Sequence, residues 1–599
     1  MHAYTGKILR VDLARRHVSE EPTDIERARA FIGGRGLATG IFCDEVDPRI
    51  EPLDAANKLI LATGPLTGTS AVCGARFMVV TKGVLTGAIA CSNAGGSFGP
   101  ELKYAGYDMI VLEGAAAEPV MLVIDNNAVE LRSAGHLWGK NVHETEDALH
   151  KELGEDFKCV SIGPAGERKV RFASIMTDKH RAAGRSGVGA VMGSKNLKAV
   201  VVRGTGGVTV ADPKGFRAAC LDALDKLKAG EITGAGLPQL GTAILVNIIN
   251  EHGIFPVRNF QHGQFASAEQ ISGEMMAEQI LVRAKACVGC PIACGRVTAV
   301  EDGQFRGRGE GPEYETIWAF GADVGVSDLR AVAKANYICN ELGMDTISAG
   351  ATLACAMELF EVGALTEKEV GRPLRFGDAD ALVDMVTRIG HRHGFGDVLA
   401  EGAARVADKY GRPELFMGAK KQEFPAYDPR GVFGMGLQYV TSNRGGCHVR
   451  GYLIAPEILG IPEKADPYTV EGKAALDIAF QDLTAALDSS GVCLFITLEI
   501  GAPELLAMLN PATGFDCDMD EIMQAGERIW NLEKLFNLRA GFSRKDDALP
   551  ARLLSEPMPA GPAEGKTVPL NRMLAEYYRL RGWDAEGRPT KKKLAALGL

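Results

Sequence analysis

At 599 residues the chain is too long for one hydrophobic core and reads as about three domains. A composition of 46% hydrophobic and 24% charged residues excludes disordered and fibrous classes, and a net charge of -10 argues against a nucleic-acid partner. No run of eighteen apolar residues offers a membrane span and the opening "MHAYTGKILRVDL" lacks a signal-peptide core; thirteen cysteines suit reduced thiols and metal ligands, so the chain reads as cytoplasmic.

Residues 1–210 read mainly as short, β-branched strands: "GKILRVDL", "KLILATG", "RFMVVTKG", "DMIVLEGAA", "VMLVIDNNAVELRSA", "KCVSIGPAG" and "VRFASIMTD". Asn126-Asn127 marks a hairpin turn. Few helix-length segments separate these strands, so stacked antiparallel sheets are expected over a doubly wound parallel fold. From Ala211 helical periodicity takes over. "ADPKGFRAACLDALDKLKAG", "SDLRAVAKANYICNELG", "ISAGATLACAMELFEVG" and "EGKAALDIAFQDLTAALDSSG" all run into a glycine that suits a C-terminal cap. The polar segment near residue 417 marks a second boundary. The expected architecture is α+β: an N-terminal β-rich domain (1–210), then two mostly helical domains (211–417 and 418–599), with any large ligand at their interface.

"CVGCPIACG" places Cys287, Cys290 and Cys294 in one short stretch, and Pro291 and Gly295 favour a turn there. Three thiols so spaced suit a four-iron cluster completed by a distant thiolate, or a structural zinc. Cys339, Cys355, Cys447, Cys493 and Cys517 are candidates for the fourth. Glycine makes up 72 residues and concentrates in "FIGGRGLATG", "CSNAGGSFGP" and "HRAAGRSGVGAVMGSKNLK". Such loops let backbone N–H groups converge on an anion, or simply make tight turns. "GRGLATG" has the wrong spacing for a dinucleotide fingerprint and follows a helix-like segment. Glu313 in "GEGPEYETIWAFG" and His448 in "NRGGCHVRG" stand in glycine-rich segments and are the acid–base candidates.

Taken in order, "GKILRVDL", "FIGGRGLA", "GARFMVVTKG", "SNAGGSFG", "AAGRSGVGAVMGSKNLKAV", "CVGCPIAC", "GPEYET", "LDSSGVC" and the terminal "GWD..GRPT" resemble the tungsten-dependent aldehyde:ferredoxin oxidoreductase family over essentially the whole chain. The resemblance implies a tungsten held by two pyranopterins, beside a [4Fe-4S] cluster on Cys287, Cys290, Cys294 and Cys493. It implies Arg76 between cluster and pterin, and Asn93, Gly95, Ala183 and Arg185 towards the pterin phosphates and a bridging Mg2+. The two pterin motifs correspond to "NELGMD", with Asn340, Gly343, Met344 and Asp345, and "DSSGVC", with Asp488, Gly491 and Val492. Asn340 departs from the family's usual Asp, exchanging charge for an amide donor, and Arg450 stands where relatives also carry lysine. The chain has no E-x-x-H motif for a dimer-bridging metal, which leaves the oligomeric state open.

The activity so implied is oxidation of aldehydes to carboxylic acids, with water as oxygen source and Glu313 and His448 beside the metal. The partners are ferredoxin or ferredoxin-like and flavin subunits. Alternative readings are an aromatic acyl-CoA reductase of benzoyl-CoA type, a non-catalytic Fe–S electron-transfer or scaffold subunit, and a zinc-stabilised binding protein.

Overall fold

The computed structural model describes residues 2–599. The alternating apolar runs of the first 203 residues build two six-stranded sheets. In the first, β1 (Lys7–Asp12), β2 (His17–Pro22), β3 (Leu59–Thr63), β4 (Phe77–Lys82), β5 (Ile89–Ala94) and β6 (Met109–Glu113) lie in the order β2-β1-β6-β3-β4-β5. In the second, β7 (Val120–Asp125), β8 (Ala128–Ser133), β9 (Lys158–Ser161), β10 (Ile175–Thr177), β11 (Arg181–Ala183) and β12 (Leu197–Arg203) lie in the order β11-β10-β9-β12-β7-β8. The expected antiparallel pattern holds for most pairs, but each sheet contains one parallel pair, β1 with β6 and β12 with β7. The hairpin at Asn126-Asn127 is present, with Asp125 paired to Ala128 and Asn126 at φ 52°.

Beyond β12 the chain is mostly helical, and the four glycine-terminated segments are helices at Pro213–Ala229, Leu329–Leu342, Thr346–Glu361 and Lys473–Ser490. The cysteine loop has a scaffold that periodicity did not reveal. It joins β13 (Leu281–Lys285) to β14 (Gly295–Val300) of a three-stranded antiparallel sheet completed by β15 (Gly307–Glu310). One helical stretch, Ile232–Glu251, is long and apolar enough to cross a bilayer by length and composition alone. It is irregular, breaking at Gly241 (φ 63°), and its Ile232, Leu237, Ile244 and Ile248 line the internal cavity.

"GRGLATG" is not a loop but the start of a buried helix, Gly34–Glu45. Glycine is needed there for close approach: a Cβ on Gly34 would lie 2.6 Å from the Asp488 carbonyl oxygen, and the Gly36 N–H donates to Ser489 Oγ at 2.9 Å. This presses the helix onto the end of Lys473–Ser490. The junction is pinned by Arg35, whose Nε and Nη2 donate to the two oxygens of Glu533 at 2.7 and 2.8 Å on the helix Met519–Arg539. Both side chains are buried. Removing the acid leaves Arg35 only its longer contact with Asp488, which it shares with Arg450, so Glu533→Ala is expected to lower stability by roughly 3 kcal/mol in denaturant unfolding.

Candidate functional site

A cavity of about 400 Å³ lies where the two sheets meet the helical part of the chain. The segments 340–345 and 488–493 each end a helix by the same device, the first of them at the edge of this cavity. Leu329–Leu342 stops at Gly343 (φ 76°) and Lys473–Ser490 at Gly491 (φ 90°), left-handed positions that suit glycine. A Cβ on Gly491 would also collide with Thr67 Oγ1. The chain then turns sharply, sending Met344 and Asp345 to the cavity and Val492 into the core ahead of Cys493.

The aspartates of the two motifs are held by arginines. Asp488 receives Arg35 Nη1 at 3.3 Å, Arg450 Nη1, and the Asn93 amide at 3.2 Å. Asp345 caps the helix Thr346–Glu361 and receives Arg185 Nε at 3.1 Å, while Arg185 also donates to the carbonyls of Gly446 and Glu423. Arg444 donates to Cys447 Sγ at 2.8 Å and to the Cys91 carbonyl at 2.9 Å. Burial opposes ionisation of Cys447, but Arg444, Arg450 and Arg185 pull its thiol below the usual range. Asn340 donates its amide to the Glu310 carbonyl at 3.0 Å, a bond that an ionised Asp could not make.

The four cysteines of the cluster reading gather about Arg76. Its Nη2 donates to Cys493 Sγ at 2.8 Å and its Nη1 to Asn93 Oδ1 at 3.0 Å, and its charge is also felt by Cys287 and Cys294. Gly95 forms the wall beside them: a Cβ there would lie 2.7 Å from Cys287 Sγ. Cys294 lines the cavity, whereas Cys287 and Cys290 line a crevice on the outer side. Among the described residues no three or more Cys, His, Asp or Glu side chains close on a single-ion position. Burial raises the Cys493 and Cys294 thiols, with further repulsion from neighbouring thiols and, at Cys294, from Glu313. A fifth sulfur escaped the sequence reading: Cys73, at φ 57°, lies 3.6 Å from Cys290 Sγ, and its backbone carbonyl accepts the Cys493 N–H. That contact, with the N–H groups of Ile292 and Ala293, lowers the Cys290 thiol to about 6 against the effect of burial.

Glu313 and His448 both line the cavity. Glu313 stands at the N-terminus of the helix Tyr314–Phe320, and Thr242 donates to its Oε2 at 2.5 Å. Burial raises its carboxyl, opposed by Arg181 and Thr242. His448 is held neutral by burial and by the nearby Arg185 and Arg444. Its Nε2 lies 3.6 Å from Oε1 of Glu315, and its Nδ1 has no partner. Glu315 was not singled out in the sequence, although its place two residues after Glu313 at a helix start was a usable signal. Ala183, at the end of β11, is buried, and the adjoining Gly184 reaches the cavity.

These features define a buried chamber with a cysteine loop on one side, an acid–histidine pair on the other and a cluster of buried arginines beside it. The chain belongs to the aldehyde ferredoxin oxidoreductase family: residues 8–204 match the N-terminal domain of that family and residues 218–599 match its domains 2 and 3. It is an oxidoreductase. It is 52% identical over 604 residues to the tungsten-containing aldehyde ferredoxin oxidoreductase of Pyrococcus furiosus, covering 100% of this chain and 99% of that protein. The aliphatic sulfonate oxidoreductase WOR-like subunit of the same organism is 31% identical, with 100% and 97% covered. Among solved structures, the active-site complex BamBC of benzoyl coenzyme A reductase with 1,5-dienoyl-CoA aligns at TM-score 0.87 and 27% identity, covering 100% of this chain and 97% of that one.

Burial raises the Glu315 carboxyl from its ordinary 4.5 to about 8. Between those values the folded chain keeps a proton that the unfolded chain loses, so stability falls as pH rises through this window, by up to about 1.4 kcal/mol per pH unit. Glu315→Gln is expected to remove that part of the slope in denaturant unfolding measured from pH 5 to 8.

Proposed function

We propose that this chain is a tungsten bis-pyranopterin enzyme that oxidises aldehydes to carboxylic acids in the cytoplasm, and passes the electrons through a [4Fe-4S] cluster to ferredoxin or to ferredoxin-like and flavin subunits. The observation that carries this reading is the convergence of Glu313, His448, Arg76 and Cys294 on one cavity. Thirteen free cysteines fit a reducing compartment.

The residues present fit such cofactors. Arg35, Arg76, Arg185, Arg444 and Arg450 form a buried arginine cluster beside the chamber, of which Arg76 lines it, and Asp345, Asp488 and Glu533 pair with the cluster as carboxylates. An interior with surplus positive charge suits a multiply anionic ligand. The motifs at 340–345 and 488–493, with Arg185 and Arg450, would hold the two pterins; Gly95, Ala183 and Asn93 would lie towards their phosphates and Mg2+. Cys287, Cys290, Cys294 and Cys493 would hold the cluster, whose iron charge would offset the burial and repulsion that raise the Cys294 and Cys493 thiols. Bound there, the tungsten centre would supply a Lewis acid and two-electron oxidant, and the cluster a one-electron relay.

The balance is RCHO + H2O → RCOOH + 2 H+ + 2 electrons. Glu313, oriented by Thr242 and made more basic by burial, takes the proton of the attacking water. His448, neutral in its cationic surroundings, donates a ring N–H to the aldehyde oxygen as negative charge develops. The buried walls keep bulk water from competing. The 27% likeness to the benzoyl coenzyme A reductase complex names the competing chemistry, but the 52% identity with aldehyde-acting relatives favours the aldehyde reading.

Anaerobically purified protein is expected to contain about four irons and one tungsten per chain and to reduce a dye with simple aldehydes. Glu313→Gln should lower kcat by roughly 10²–10⁴-fold and His448→Asn by roughly 10²–10³-fold, with metal content unchanged. Full activity of both variants, or turnover of an aromatic acyl-CoA but of no aldehyde, overturns the proposal. Cys73→Ala should shift the cluster potential downward in EPR-monitored titration at unchanged iron content, because a donor to a ligand sulfur is removed.

A further inference from the structure

The outer face of the cysteine loop carries a surface unlike the rest of the molecule. Six large hydrophobic side chains are exposed among the described residues, and two of them belong to this region: Leu221 (48%) on the helix Pro213–Ala229 and Val288 (47%) between Cys287 and Cys290. The crevice between the helix and the loop is lined by Arg217, Leu221, Lys228, Cys287 and Cys290 among others, and by no acidic side chain. Arg217, Leu221, Leu224 and Lys228 recur at helical spacing, so one stripe of the helix presents apolar groups between two cations. Among the described residues neither cation makes an ion pair, whereas Lys226, off this stripe, pairs with Asp222 and Glu504. A chain of net charge -10 thus presents a cationic and apolar patch over two of its cluster cysteines.

We propose that this patch is the docking surface for a small acidic iron–sulfur electron carrier. The inference rests on the aldehyde-oxidising reading and adds the place and the chemistry of electron exit. An acidic carrier is repelled by the net charge of the molecule and attracted by Arg217 and Lys228, which favours this orientation before contact. Leu221 and Val288 then supply the desolvated centre of a small interface, of the size typical for short-lived electron-transfer encounters. Each aldehyde releases two electrons and each encounter removes one: RCHO + H2O + 2 carrier(oxidised) → RCOO⁻ + 3 H+ + 2 carrier(reduced). Cys287 and Cys290 are the ligands nearest the carrier because they line the crevice, while Cys294 faces the cavity.

The test uses holoenzyme, a purified acidic four-iron ferredoxin as probe, and a viologen dye as small-molecule control. Leu221→Asp and the double variant Arg217→Glu/Lys228→Glu are expected to raise KM for ferredoxin at least about tenfold. Dye-linked aldehyde oxidation should stay at the wild-type rate, and Val362→Asp, at an exposed apolar site elsewhere, should change neither. The rise of the wild-type KM with salt should flatten in the double variant, as screening of these charges requires. Wild-type ferredoxin kinetics in both patch variants overturn the docking surface while leaving the aldehyde reading intact. Absence of dye reduction by fully loaded wild type overturns the aldehyde reading instead. Calorimetric binding of oxidised ferredoxin to the same proteins at low salt then decides the docking surface separately, and equal affinity for wild type and variants rejects it.

Discussion

A guanidinium removed from water must find anions or acceptors, and the centre of this molecule is organised around that requirement. Arg35 joins the N-terminal helix Gly34–Glu45 to Glu533 and Asp488 from the far end of the chain. Arg450 reaches the same Asp488, Arg185 reaches Asp345, and Arg76 spans Asn93 and Cys493. Most of these bonds cross between segments distant in sequence, so the first sheet, the two motif turns and Cys493 are located by buried charges. Such a set is costly to bury and intolerant of partial loss, which makes it a specifying device more than a source of net stability.

The same network sets the chemistry of the chamber. Burial and then the nearby arginines keep His448 neutral, the arginines draw Cys447 towards its thiolate against the effect of burial, and burial holds Glu313 and Glu315 above the usual carboxylate range. Two carboxyls two positions apart therefore differ in setting: Glu313 accepts from Thr242 and feels Arg181, whereas Glu315 lies beside the histidine. Unequal partners for neighbouring acids, both raised by burial, are one way of dividing acid and base work within one pocket.

Much of the fold was legible because it is local. β-Branched runs gave the strands, and the αL glycines at 343 and 491 closed helices where their periodicity ended. The cysteines, Glu313 and His448 were legible as residue types in unusual company. What stayed hidden depends on contacts between remote positions. Cys73 meets Cys290 across 217 residues, Thr242 reaches Glu313 across 71, and Arg35 meets Glu533 across 498; none leaves a periodic or spacing signal. "GRGLATG" misled for a physical reason: glycine is a poor helix former, yet here tertiary contact with Asp488 and Ser489 demands it and overrides propensity.

The partition between the chamber and the sulfur of Cys287 is one glycine thick. At Gly95 even a methyl group would have to displace that sulfur, since it would stand only 2.7 Å away. A missing side chain thus lets the cysteine loop close against the first sheet, and any larger residue at this point would push the two apart.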